Sequence, residues 1–267
     1  MAESTSRIAN LLLRFAPSLA WLRRVPLLGQ FLSWTGRKLV PRDSLVWVQI
    51  QHGPSEGLWI RLNPRTGQNV QQGIGEPQVQ NALGEHLLPG MTFYDLGANI
   101  GFFSLMAARL VGPQGRVVSF EADPEIAARL GENLARNLFK HAHVEQKAVW
   151  SEPTTVAFER VDPNTSPDRG LGHVSPNGSA PGTITVEAVS LDQYTAANPP
   201  PDLLKCDVEG AEVAVFQGAA RLLSGKRPIV LVEMHSPENH RALLVLFASH
   251  GYRCQNLDEN HVLALPQ

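Results

Sequence analysis

The chain lacks the features that would mark a disulfide scaffold, a membrane span or a nucleic-acid groove. Its 267 residues hold two cysteines, Cys206 and Cys254. Two thiols without metal-ligand spacing give neither a disulfide framework nor a zinc ribbon, and they suit a reducing compartment. No apolar run approaches the roughly 20 residues that a bilayer helix needs. The N-terminal apolar stretches are interrupted by Arg7, Arg14, Arg23 and Arg24, unlike the core of a secretory signal. A cytoplasmic protein is therefore expected. Charge of one sign is also missing: 23 Lys and Arg against 25 Asp and Glu leave a net −2, with no basic excess to suggest nucleic acid. Internal repeats are absent. A hydrophobic share of 43% suits one large soluble domain, or a domain with an extension.

What charge asymmetry there is sits at the start. In residues 1–42, Arg7, Arg14, Arg23, Arg24, Arg37, Lys38 and Arg42 oppose a single acid, Glu3. Ile8, Leu11, Leu12 and Phe15 recur at helical spacing, and Pro17 and Pro26 cut the segment into short helices. Such a basic amphipathic segment can lie on the inner face of an anionic membrane, or pack on the rest of the protein or on a second subunit. Residues 43–90 form an accessory block. Leu45–Gln51 and Leu58–Leu62 read as a hairpin, Gly67, Gly73 and Gly75 as a loop, and Glu76–Leu88 as a helix.

From Met91 the pattern alternates. Strands are predicted at Met91–Leu96, Arg116–Phe120, His143–Ala148, Leu203–Cys206 and Pro228–Glu233. Helices are predicted at Ile100–Val111, from Pro124 along Ile126, Leu130, Leu134 and Leu138, at Glu209–Leu223 and at Asn239–His250. Tyr252–Asn256 and Val262–Leu265 close as a hairpin around Asp258-Glu259-Asn260. The expected fold is an α/β, doubly wound, Rossmann-like sheet over residues 91–267 with an antiparallel terminal hairpin. Residues 148–200 interrupt it. Paired strands at Thr154–Arg160 and Thr183–Val189 flank a Pro/Gly/Ser-rich run, which reads as a substrate flap or as disorder.

Phe93-Tyr94-Asp95-Leu96-Gly97-Ala98-Asn99-Ile100-Gly101 is a strand, a glycine-bearing turn and a helix start, and Phe120-Glu121-Ala122-Asp123 ends the next strand in acids. Open α/β sheets build nucleoside sites in this way. Gly97 and Gly101 are expected to let backbone approach a ligand. The dinucleotide fingerprint fails at Asn99 and Phe102, and no phosphate cradle replaces it. A carboxylate at Asp95 repels phosphate but suits an ammonium, and Glu121 can accept both ribose hydroxyls. A cofactor with an amino-acid end and a ribose fits both: S-adenosylmethionine.

Ligands sit beyond the carboxyl ends of such strands. Those ends are acidic at Asp95, Glu121, Asp207 and Glu233, with His235 close by. Asp207 and His235 are the candidate general bases, His235 having the better-matched ordinary pKa. Glu209 and Glu233 join them as catalytic candidates, Glu209 reading equally as an acid at a helix start. Glu212, one turn on, either meets substrate or orients Lys205 or a backbone group. Asp207, Glu209, Glu233 and His235 together offer an oxygen-rich set for a divalent cation, although the spacing is no diagnostic metal motif. His173, in the flap, is a candidate substrate contact. Cys206 reads as core filler.

Together, Asp95-Leu-Gly-Ala-Asn-Ile-Gly101, Phe120-Glu121, Leu191-Asp192, Lys205-Cys-Asp-Val-Glu-Gly-Ala-Glu212 and Glu233-Met-His235 resemble the FkbM-type, class I S-adenosylmethionine-dependent methyltransferases. The resemblance spans roughly residues 76–235, and Asp207–Glu212 is its most specific part. The family usually has Glu-Pro where this chain has Glu121-Ala122-Asp123-Pro124, and an aliphatic residue at Cys206. The resemblance implies that Asp95, Gly97, Asn99 and Gly101 hold the methionine end, Glu121 the ribose, and Ala122 and Asp123 the edge of the adenine. It also implies O-methylation of a sugar, glycan or secondary-metabolite hydroxyl. A lipid-linked acceptor joins these if residues 1–42 meet a membrane. N- or C-methylation on the same fold is the near rival, though no Asn/Asp-Pro-Pro-aromatic run follows Cys206. A nicotinamide oxidoreductase and a non-catalytic, membrane-associated protein are the distant ones.

Overall fold

The computed structural model describes residues 44–160, 172–175 and 182–267. The N-terminal helices expected in residues 1–42 and most of the 162–178 loop lie outside the described residues. No described helix is long and apolar enough to cross a membrane.

Seven strands form the main sheet: β3 (Thr92–Leu96), β4 (Arg116–Phe120), β5 (Ala142–Glu145), β10 (Leu203–Cys206), β11 (Ile229–Glu233), β12 (Tyr252–Asn256) and β13 (His261–Pro266). Their spatial order is β12-β13-β11-β10-β3-β4-β5. All neighbours are parallel except those of β13, which runs antiparallel to β11 and β12. The chain leaves β3 in one direction for β4 and β5, then returns to β10 on the other side. The topological switch point therefore lies between β3 and β10, with Asp95 and Asp207 at its two lips.

Strand alternation sends residues to two cores. Phe93, Val117, Leu203 and Leu231 meet α2 (Pro77–His86), α3 (Phe102–Val111) and α4 (Pro124–Arg136). Tyr94, Leu96, Val118, Phe120, Leu204, Cys206, Val230 and Val232 meet α6 (Glu212–Gln217), α7 (Ala220–Ser224) and α8 (Pro237–Ser249). A buried polar row crosses the first face, where Lys205 is register partner to Asp95 and Asp95 to Ser119.

The accessory hairpin forms as expected, β1 (Val46–Gln49) pairing β2 (Trp59–Leu62). Its free edge is satisfied by side chains of α4. Asn133 Oδ1 accepts from Arg61 N at 2.7 Å, and Asn137 Oδ1 accepts from Trp59 N at 2.8 Å. A short helix, α1 (Gln68–Gln72), occupies part of the expected 67–75 loop.

Three expected elements differ. The 209–223 helix is two helices, because Asp192 supplies a second start: its carboxylate accepts from Arg221 N and Leu222 N at 2.9 and 2.8 Å. Glu209 opens neither helix, since it is left-handed (φ 50) and α6 begins only at Glu212. Leu138 lies past the end of α4, left-handed and 80% exposed, so it leaves the apolar face of Ile126, Leu130 and Leu134. The excursion after β5 folds into a second sheet of order β6-β9-β7-β8. It comprises β6 (Ala148–Val149), β7 (Thr154–Glu159), β8 (His173–Val174) and β9 (Thr183–Val189), with α5 (Leu191–Ala197) leading back to β10.

Candidate active site

Two adjoining cavities, of about 310 and 250 Å³, open at the carboxyl ends of β3, β4, β10 and β11. Glu76, Gly97, Asn99 and Asp207 line both. The larger has an apolar end at Ala122, Ala148, Val149, Phe158 and Val174, and an acidic end at Asp207, Glu209 and Glu233.

On the β3–β4 side the acids are held by backbone and hydroxyls. Glu121 Oε2 accepts from Asn99 N at 2.9 Å, and Oε1 accepts from Asp123 N at 2.8 Å. Burial pushes its carboxyl up to about 7 against the pull of these hydrogen bonds. Both oxygens keep unused lone pairs, so two further donors can be accepted. Ser119 Oγ donates to Ser104 Oγ at 2.8 Å, and Ser104 donates to Asp95 Oδ2 at 2.6 Å. Asp95 Oδ1 is buried without a hydrogen-bond partner. Burial raises the Asp95 carboxyl, with Lys205 and Ser104 opposing.

The two glycines of the turn also serve the packing of the chain, and Gly97 lines both cavities as well. Gly97 has φ 75, and a Cβ there would lie 1.7 Å from the Asp207 carbonyl oxygen. A Cβ on Gly101, φ 92, would lie 2.2 Å from Leu130 Cδ1. Both glycines let the chain approach itself, closing the switch point and seating α4. Asn99 is left-handed (φ 50), with its Oδ1 accepting from Ile100 N at 2.7 Å.

On the β10–β11 side the acids face cations and imidazoles. Lys205 Nζ lies 2.9 Å from Asp207 Oδ2 and 4.9 Å from the Phe103 ring centroid. Burial opposes the lysine charge, but Asp207, Asp95 and Glu76 outweigh it and hold its pKa above the usual range. Burial likewise opposes the Asp207 charge, and Lys205 overcomes it to hold that carboxyl low. His235 Nδ1 is 2.7 Å from Glu212 Oε1. Its Nε2 faces Glu209 at 3.4 Å, Asp207 at 3.7 Å and Glu233 at 3.9 Å. The Glu212 hydrogen bond, against burial, pushes His235 up to about 9, above the near-neutral value expected. Glu209 is raised by burial, with His235 opposing.

A second histidine, absent from the sequence reading, completes this side. His261 stands opposite Glu233 in the β11–β13 register. Its Nδ1 is 2.9 Å from both Asp258 oxygens, and its Nε2 lies 3.4 Å from Glu76 Oε2 and 3.6 Å from Glu233 Oε2. Burial opposes its charge, but Glu233, Glu76 and Asp258 push it up to about 10.

Three expected contacts move. Glu212 is fully buried away from the cavity lining: Gly210 N and Asn239 Nδ2 donate to it at 2.7 and 2.6 Å, so it braces His235 and orients a backbone group, the second of its two readings. Burial would raise its carboxyl, but His235, Gly210 and Asn239 together lower it. Asp123 caps α4 through Glu125 N and Ile126 N and pairs with Arg160 Nε at 2.6 Å. That leaves Ala122 at the cavity wall and Asp123 behind it. His173 turns to Glu159 at 3.6 Å, while Gly172 and Val174 on either side line the cavity, as strand alternation requires. Asp207, Glu233 and His235 do come within ligand reach of one common point; Glu209 is not in that group.

A sequence model described as the Methyltransferase FkbM domain matches residues 95–254. The hexuronic acid methyltransferase AglP of Haloferax volcanii is 28% identical over 164 residues, 61% of this chain and 63% of that protein. An arsenite methyltransferase of Halobacterium salinarum is 30% identical over 108 residues, 39% of this chain and 27% of that protein. The chain thus spans less than two thirds of the length of these curated relatives. Among solved structures, the methyltransferase FkbM of Methylobacillus flagellatus is 17% identical, with TM-score 0.47 over 74% of this chain and 54% of that one. With more than half of its length matched by that model, the chain belongs to the FkbM methyltransferase domain family.

Proposed function

We propose that this chain transfers a methyl group from S-adenosylmethionine to a hydroxyl of a sugar, glycan, lipid-linked or secondary-metabolite acceptor. One observation carries this reading: an acid with spare acceptor capacity, Glu121, and a carboxylate-braced histidine, His235, stand at the same sheet edge, on opposite sides of the switch point. The residues fit the cofactor. Asp95 Oδ1 is a buried acceptor without a partner, suited to an ammonium, and Glu121 retains lone pairs for two ribose hydroxyls. Ala122, Val149 and Phe158 offer apolar walls to a purine. When bound, the cofactor supplies an electrophilic methyl group on a sulfonium centre.

The chain's own part is to hold the acceptor in line and take its proton. His235 is the proposed proton acceptor. Glu212 fixes its Nδ1, which turns Nε2 into the acidic end of the cavity. The surrounding carboxylates stabilise the imidazolium that forms; with the ring pushed up to about 9, the neutral form that accepts the proton grows as pH rises towards that value. Asp207, held by Lys205, is proposed to orient the acceptor. The likeness to a hexuronic acid methyltransferase supports a sugar hydroxyl as acceptor.

Calorimetry with S-adenosylhomocysteine tests the cofactor half. Glu121→Ala should weaken binding at least about tenfold, the loss of a charge-assisted pair of hydrogen bonds. Binding unchanged by that substitution would sink the assignment.

A further inference from the structure

Glu76, Glu233 and His261 each place one donor atom within ligand reach of a common point, and the first two line the larger cavity. His261 is 7% exposed, and among the described residues neither its Nε2 nor the buried Glu76 Oε2 facing it at 3.4 Å reaches hydrogen-bond geometry. Asp258 occupies the other ring nitrogen with both its oxygens. That is the arrangement in which a carboxylate fixes the tautomer and ring plane of a metal-binding histidine.

A charge-assisted N–H···O contact closes to about 2.7–2.9 Å. The His261 Nε2 separations are longer, 3.4 and 3.6 Å, the length of an open ion pair. Donors bound at about 2.1 Å in tetrahedral geometry stand about 3.4 Å apart. The same spacing therefore admits a first-row divalent cation between one imidazole and two carboxylates.

We infer that Glu76, Glu233 and His261 form a divalent-cation site, of the zinc type, with a fourth position open towards the cavity. The three donors come from separate parts of the chain: the start of α2, the end of β11 and the start of β13. Three protein ligands with one free position is the pattern of zinc sites that act on substrates, as distinct from closed structural ones. In that position the ion would take an acceptor oxygen and lower its pKa. This role rests on the proposed methyl transfer to a hydroxyl; the binding itself does not.

The test therefore measures binding alone. Tag-free, full-length protein is stripped with chelator, loaded with Zn²⁺, dialysed and assayed for metal by mass spectrometry, with affinity from calorimetry. The expected result is one tight zinc per chain. His261→Ala and Glu76→Gln should each weaken it at least about tenfold, while His235→Ala leaves it in place. Glu76 is partly exposed at a helix start, so Glu76→Gln remains informative if His261→Ala fails to fold. No retained zinc, affinity unchanged in Glu76→Gln, or loss with His235→Ala in place of His261→Ala would each overturn the assignment. Zinc binding with no methyl transfer would leave the site standing and remove the O-methylation reading.

Discussion

Glu121 and Glu233 end strands of the same sheet and point to the same cavity, yet their partners differ in kind. Glu121 is gripped by two backbone N–H groups and makes no ion pair among the described residues. Glu233 has two imidazoles within 4 Å, His235 on one oxygen and His261 on the other. An acid held by neutral donors keeps spare acceptor capacity for a neutral polyol such as a ribose. An acid set among histidines is a place for protons or cations to move. On the proposed function, the two sides of the switch point divide recognition from chemistry.

The sharpest way to break this division is His235→Ala. It should lower kcat by about 10²–10⁴-fold, the usual contribution of a general base, with affinity for S-adenosylhomocysteine unchanged by calorimetry. An equal loss in cofactor affinity would erase the boundary between the two sides. Next comes Lys205→Met, which leaves Asp207 without its buried counter-ion. Breaking that pair should cost about 3 kcal/mol in denaturant unfolding, at the low end because Asp207 is partly exposed. Stability within experimental error of the parent would show that the pair contributes nothing net. Glu212→Gln should be milder, a 10–100-fold fall in kcat as the His235 ring loses its brace. An unchanged kcat would make Glu212 a purely structural residue.

The smallest effect is a pH dependence of cofactor affinity. Burial raises Glu121 to about 7 in the free protein, so its carboxyl is ionised above that pH and protonated below it. Ribose hydroxyls donate best to the ionised form. Affinity for S-adenosylhomocysteine should therefore rise with pH through about 7 and flatten above it, a dependence that Glu121→Gln should remove. A pH-independent affinity in the parent protein would show that Glu121 is not the hydroxyl-reading group.

The recognition side was legible in the sequence because it is local. Asp95, Asn99 and Glu121 sit on consecutive strand–turn–helix units whose geometry follows from spacing alone. The strand ends at Asp207 and Glu233 were legible for the same reason. The chemistry side depends on pairings that spacing does not encode. His261 reaches Glu233 only through the antiparallel register of β11 and β13. Glu76 arrives from the accessory block, before the sheet begins. Glu212 read either as a substrate contact or as a group orienting Lys205 or backbone, and spacing could not choose; the left-handed Glu209-Gly210 step turns it inward beneath His235. In the glycine turn the residues were legible, but their packing role was not, since only the packed structure shows Asp207 and Leu130 in the way of a Cβ.

The central claim, methyl transfer to a hydroxyl, is tested most directly by incubating the full-length protein with deuteriomethyl S-adenosylmethionine and cell extract, followed by mass spectrometry. The account predicts a labelled methyl ether on a sugar-bearing acceptor, formed by the parent protein and not by His235→Ala. Label carried on nitrogen or carbon, or no labelled product while S-adenosylhomocysteine still binds, would contradict it.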